Sequence, residues 1–242
     1  AEKLATVTSK NTGDDETVPV HLDDRILSTP SIAMSNCTKE IVRLGNMSLK
    51  NLTAACESLE NRDGSRVEKI LEREKNIDNL TKAITAYLVK LCNSNLTKQE
   101  NTNATGMFHI VNDMERIGDQ ASDIAELIPY LGEGDTYDAC SHIPAMAQVA
   151  IEMVHGAINA FVEGDIQKAK EIINKDDIVD DYFDKVKNEV ADLLRKKAGS
   201  VDVILNFLMI AKYFERIGDH AENICEWVEF SKTGEYKDGR II

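Results

Sequence analysis

The 242-residue chain is short of what a strand, a covalent staple or a bilayer span requires. Only 5% of its residues are aromatic, it has four prolines, and no segment alternates apolar and polar positions as a half-buried strand would. It therefore reads as helix throughout. The five cysteines, Cys37, Cys56, Cys92, Cys140 and Cys225, are an odd number without a Cys-x-x-Cys pair. That argues against a disulfide framework and a thiolate zinc site, fits a reducing compartment, and makes each cysteine a small filler on a helix. No basic stripe interrupts a formal charge of -14, so nucleic acid and anionic lipid are not expected as partners, whereas cations and basic protein surfaces are. No uninterrupted apolar stretch reaches the roughly 18 to 20 residues that cross a bilayer. The nearest, Val203 to Ala211, is short and contains Asn206. A secretory signal, a phosphate-binding glycine loop, a Ser/His/Asp grouping and a carboxylate pair with an evident nucleophile are all missing, so no enzyme is expected.

What the chain does have is a phrase stated twice. Glu115 to Glu126 reads ERIGDQASDIAE and Glu215 to Glu226 reads ERIGDHAENICE, with eight of twelve positions identical at an offset of 100 residues. Self-similarity at a fixed offset marks a duplicated structural unit. Ile110, Met114, Ile117, Ala121, Ile124 and Ile128 step by three and four residues, the helical interval. Phe207, Ile210, Phe214, Ile217, Ala221, Ile224 and Val228 repeat the stripe. Each copy carries an interior glycine, Gly118 and Gly218, at a cost of about 1 kcal/mol relative to alanine. Either another backbone approaches closely at both places or a small residue is simply tolerated.

Opposite the apolar seam lie Glu115, Asp119, Asp123 and Glu126, and in the second copy Glu215, Asp219 and Glu226, with Asn223 in the place of Asp123. A charged stripe opposite a core is ordinarily a solvated face. Like charges four residues apart, however, repel by roughly 0.2 to 0.5 kcal/mol per pair, and a bound cation would reverse the sign. Another helix in each half offers the same spacing, Glu74 and Asp78 in the first, Asp176 and Asp180 in the second, with Asp177 and Asp181 alongside. Carboxylates from two neighbouring helices could surround one metal ion.

The expected helices are Pro30 to Asn61, Ser65 to Ser94, Thr105 to Leu131, Tyr137 to Glu163, Ile166 to Ala198 and Ser200 to Lys232. Thr29-Pro30 supplies a cap and a first-turn proline. Asp63-Gly64-Ser65 and Gly164-Asp165 close the first hairpin of each half, and Gly132-Glu133-Gly134-Asp135 separates the halves. This gives a flexible linker over 1–23, a first unit over 24–131, a second over 137–232 and a tail over 233–242.

ERIGD followed by alanine and an Asn-Ile or Asp-Ile pair closely resembles the E/D-x-x-x-D signature of the PhoU family of phosphate-signalling proteins. The resemblance runs in order and length over nearly all of Asp24 to Lys232. It implies an all-α protein of two tandem three-helix bundles related by a pseudo-twofold axis, with metal ions held on the bundle surface, iron or zinc in some members. Magnesium and calcium stay open here. Carried onto this chain, Glu115, Asp119 and Asp123 with Glu74 and Asp78 form the first site, and Glu215 and Asp219 with Asp176 and Asp180 form the second. The chain departs from the pattern at Gln120, at Cys225 and in the polar loop Asn93 to Thr105. His21 to Met34, HLDDRILSTPSIAM, further resembles the junction after the membrane domain of bacterial sodium/phosphate cotransporters that carry a PhoU-like tail.

These resemblances imply a metal-binding regulatory domain at the cytoplasmic face of the membrane. Its partners would be a membrane transporter domain in the same full-length chain and a sensor kinase or other phosphate-signalling protein; a homo-oligomer is open. One alternative is a free-standing adaptor of the same family without a working metal site. Another is a di-iron oxidoreductase, suggested by Glu152-x-x-His155, although a bundle of that kind needs two such pairs. His220 reads as a surface histidine rather than a ligand, and Arg116 and Arg216 as ties for neighbouring carboxylates. Asn-x-Ser/Thr sequons begin at Asn36, Asn46, Asn51, Asn79, Asn95 and Asn103; most fall within expected helices and carry no glycosylation meaning in a cytosolic protein.

Overall fold

The structure, a computed structural model, describes residues 19–131 and 140–234. Six α-helices dominate them, α1 (Pro30–Asn61), α2 (Val67–Cys92), α3 (Lys98–Leu127), α4 (Ile143–Glu163), α5 (Ile166–Lys196) and α6 (Val201–Thr233), with short 3-10 turns at Asp24–Ile26, Gly64–Arg66 and Ile128–Tyr130, and no strand occurs among the described residues. Helices α1 to α3 pack into one three-helix bundle and α4 to α6 into a second; α3 against α6 and α1 against α4 join them. Every position of both apolar stripes is buried, and one continuous core runs through both bundles, with Phe207 and Phe214 its largest fully buried side chains. Each large apolar side chain taken out of water contributes roughly 1.5 to 3 kcal/mol. The fold therefore rests on the periodicity that the sequence displays.

Helix ends depart from the expectation where local hydrogen bonding decides them. Helix α3 begins at Lys98 inside the supposed polar loop, because Thr97 and Glu100 form a reciprocal capping box that satisfies two otherwise orphaned donors. Thr29 stands at the N-cap of α1 but makes no side-chain cap bond, leaving the start to Pro30. Asp63 and Asp165, 102 residues apart, both accept backbone N–H bonds as N-caps. The residue before each is left-handed, with φ 54° at Arg62 and 60° at Gly164, so the first hairpin turns on an arginine where glycine was expected. The expected separator at Gly132 to Asp135 and the expected helix start at Tyr137 lie outside the described residues.

Helix α4 is long and apolar enough to cross a bilayer by length and composition, although Gln148, Glu152, His155 and Asn159 keep it from being an uninterrupted apolar run. Its apolar stripe, including Met146, Ala150, Met153, Val154 and Ala157, is buried within the protein, against α1, α5 and α6, as in a core helix. The segment from Pro19 to Asp23, expected as part of a flexible linker, is instead tied to the first bundle. The backbone N–H groups of Val20 and His21 each donate to Glu40 Oε1 at 2.7 Å, and Glu40 is completely buried in α1. Tyr87 of α2 donates to the Asp23 carbonyl at 3.2 Å, and Lys90 pairs with Asp24 at 2.7 Å.

Candidate functional site

In the first bundle, Gly118 lets α2 press against α3. A Cβ on it would meet Ile77 Cδ1 at 3.0 Å and Ser48 Oγ at 3.3 Å, so side chains, not a backbone, require the glycine. The close approach sets Glu74 and Asp78 of α2 opposite Glu115 and Asp119 of α3. The ladder is half-buried in this groove instead of facing open water: the side chains of Glu115 and Asp119 are 18% and 28% exposed. Burial raises the carboxyl of Glu74, and the charges of Asp119 and Asp78 add to it. Glu115 is raised by burial and then by Asp119. Asp119 is raised by burial against the opposing pull of Arg116. Arg116 acts as the tie expected of it, its Nη1 donating to Asp119 Oδ2 at 3.4 Å and its Nε lying 3.7 Å from Glu115 Oε2. Lys82 pairs with Asp78 at 2.5 Å.

The second bundle repeats the groove with a slightly closer approach. At Gly218 an added Cβ would lie 2.8 Å from Asp176 Oδ1 and 3.4 Å from Val179, the counterpart of Ile77. Burial pushes the Asp176 carboxyl up to about 7, helped in turn by the charges of Glu222, Asp219, Asp180 and Glu215. Asp180 is raised by burial and then by Glu215. Asp219 and Asp180 are exposed by surface area, and the Asp219 carboxyl is nonetheless raised by the protein packed around it and then by Glu215. Lys212 pairs with Glu215. Glu222 was missed as a member of this cluster, although the sequence held a signal, since it stands where the first phrase has Ser122. Asp177 and Asp181 are exposed outside the groove.

Asp123 takes a different position. It is raised by burial, then by Asp119 and Glu126, and its opposing charge is Arg216 of α6, so it belongs to the junction between bundles as much as to the first groove. The all-oxygen, mutually repelling donor sets suit a cation in chemistry. In the positions the side chains hold, no group of three or more His, Cys, Asp or Glu residues among the described residues converges closely enough to bind one. Lysine and arginine at the groove rims offset part of the charge.

The remaining candidates disperse. Glu152 pairs with Lys175 at 2.9 Å and His155 lies against Asn159, so they form no di-iron pair. His220 is more than a plain surface residue: its Nδ1 donates to Asp113 Oδ1 at 2.9 Å across the α3–α6 junction. Seven residues on, Trp227 stacks on His109 with ring centroids 3.8 Å apart. Burial pushes the thiols of Cys37, Cys56, Cys140 and Cys225 up to about 12, which suits inert fillers. Asn51, the head of a sequon, is fully buried.

Two tandem bundles with matched grooves invite comparison with known proteins, and the family model of the PhoU domain matches twice, over residues 41–128 and 143–228. The chain belongs to the PhoU family. A phosphate-specific transport system accessory protein PhoU homolog of Clostridium acetobutylicum is 31% identical over 82% of this chain and 92% of its own length. A corresponding PhoU homolog 1 of Thermotoga maritima is 32% identical over 76% of this chain and 81% of its own. The crystal structure of PhoU from Pseudomonas aeruginosa superposes with a TM-score of 0.76, covering 84% of this chain and 98% of that one at 24% identity. The phosphate transport system regulatory protein PhoU from Streptococcus pneumoniae gives 0.80, covering 87% and 100% at 23% identity. These two likenesses establish the PhoU fold, with both bundles present.

Proposed function

We propose that this chain is an accessory regulator of a phosphate transport system, acting at the cytoplasmic face of the membrane through contacts with other proteins. The observation that carries the reading is its 31% identity to an accessory protein of that system over 92% of the relative's length. The matched relatives are named accessory proteins of a phosphate transport system, which supports the adaptor alternative and gives no support to the cotransporter tail. In bacteria lacking their own PhoU-family accessory protein, expression of this chain is expected to restore phosphate-dependent control of labelled phosphate uptake. Uptake that stays as deregulated as in the deletion strain would remove the reading.

A second reading, that the grooves hold metal, is favoured by the raised carboxyls, because a cation would relieve the repulsion that burial intensifies. Glu74, Asp78, Glu115 and Asp119 would supply the first set, joined by Asp123, and Asp176, Asp180, Glu215 and Asp219 the second; iron and zinc lead the choice of ion. Metal present at one hundred times its dissociation constant stabilises by about 2.7 kcal/mol, worth about 5 to 10 °C in a protein of this size. Chelation of metal-loaded protein is therefore expected to lower the melting temperature, and Asp119→Asn with Asp219→Asn to remove most of the metal measured by plasma mass spectrometry. Wild-type protein that takes up no metal on reconstitution would leave the carboxylates as charged walls alone.

A further inference from the structure

Against a formal charge of -14, one cleft of about 590 Å³ is lined by four cationic side chains, Lys50 of α1, Arg66 at the start of α2, and Lys69 and Arg73 within α2, with Glu57 as its single carboxylate. Glu57 pairs with Arg66. The sequence conceals this patch because its members sit on two helices and are outnumbered by acids elsewhere.

Arg73 is the unusual member. It is only 6% exposed, and its Nη1 donates to Asn51 Oδ1 at 2.8 Å. Asn51 is itself completely buried, where its amide donates to the Ile70 carbonyl at 3.1 Å and to Ser122 at 3.4 Å. The guanidinium is thus held in place from behind, yet its buried Nε has no hydrogen-bond partner. A native protein rarely leaves a buried charged donor unsatisfied, and the same guanidinium group belongs to a residue that lines the basic cleft, where arginine suits an anion.

The duplicated fold supplies its own control. Moving forward by the 102 residues that separate the two caps, Lys50, Asn51, Arg66, Lys69 and Arg73 become Glu152, Met153, Lys168, Glu171 and Lys175, with Lys168 tied to Glu163 and Lys175 to Glu152. The second bundle therefore keeps two of the four cations, both paired, and replaces the other two with glutamates. Arg66, Lys69 and Arg73 stand at i, i+3 and i+7, on one helix face, and span about 10 Å at 1.5 Å per residue, longer than a single phosphate.

We propose that the cleft between α1 and α2 of the first bundle binds an oligophosphate, with Arg73 as its buried anchor and Lys69 and Arg66 along its length. The site does not depend on the transport reading. Binding draws Arg66 away from Glu57 and sets the anion against the Arg73 guanidinium.

The test is calorimetric titration of chelator-treated protein at low ionic strength with orthophosphate, pyrophosphate and ADP. Pyrophosphate is expected to bind one to one and at least tenfold more tightly than orthophosphate. Lys69→Glu, which installs the second bundle's residue at an exposed position, is expected to weaken it tenfold or more. Lys39→Glu, the same charge change on an exposed turn of α1 outside the cleft, should weaken it no more than twofold. ADP binding more tightly than pyrophosphate would identify a nucleotide as the source, and weaker binding an inorganic oligophosphate. No heat with any of the three ligands, or equal weakening by Lys69→Glu and Lys39→Glu, would overturn the site; orthophosphate binding as tightly as pyrophosphate would overturn its oligophosphate character.

Discussion

Asn51→Met is expected to destabilise the protein by about 3 kcal/mol, because it removes the acceptor of a buried guanidinium and leaves the charge in place. In a protein of this size that loss lowers the melting temperature by about 6 to 12 °C. The second bundle already carries methionine at the corresponding position, Met153, fully buried, so the volume itself is compatible with the fold. What fails is the pairing with Arg73. If that account holds, adding Arg73→Leu to Asn51→Met recovers most of the lost stability, since an apolar pair of matching size leaves no charge to satisfy. Chemical denaturation of the two single variants and the double variant forms the cycle that measures it. Losses that simply add would mean that Asn51 serves Ile70 and Ser122 and not the arginine.

Asp176→Asn should do the opposite at alkaline pH. With a folded value of about 7 against an ordinary 3.8, the folded state holds a proton that the unfolded state has released. Stability from this group is complete below about pH 4, declines as pH rises, and is lost above 7. Asparagine keeps the neutral form at every pH. In chelated protein at pH 8 the variant is expected to be more stable than the wild type by about 2 kcal/mol, after discounting the shift at 1.36 kcal/mol per unit for solvent screening. At pH 4 the two should melt together. A wild type as stable as the variant at pH 8 would show that the carboxylates relax apart on ionising. A divalent cation that reverses the order at pH 8 would support the metal reading of the second groove.

How far the sequence led depends on which force decides each feature. The apolar stripes from Ile110 and Phe207 onward gave the helices and their buried faces, because periodicity and burial are the same fact seen along one helix. The carboxylates were placed on α2, α3, α5 and α6 with the two helices of each half facing one another, but the partial burial of Glu115 and Asp119 was not foreseen. A helical wheel locates Glu115 relative to its own core seam and is silent on whether a neighbouring helix lies over it. Gly118 and Gly218 held that information, since they bring α2 and α5 close, and the atoms responsible proved to be side chains of Ile77 and Asp176. The start of α3 was legible in Thr97 and Glu100, where the pattern Thr-x-x-Glu outweighs a polar composition. Asn51 with Arg73, and His220 with Asp113, were not legible, because the partners lie 22 and 107 residues apart and nothing local marks them.

The docking of the first described residues has a mechanical side. Val20 and His21 hang from a carboxylate that is seated in the core of α1, while Asp23 and Asp24 are fastened to α2 by Tyr87 and Lys90. Tension applied to residues 1–18 would therefore not spend itself on a loose strap. It would arrive at two helices of the first bundle at once, and Glu40 is the rivet through which the load enters the core.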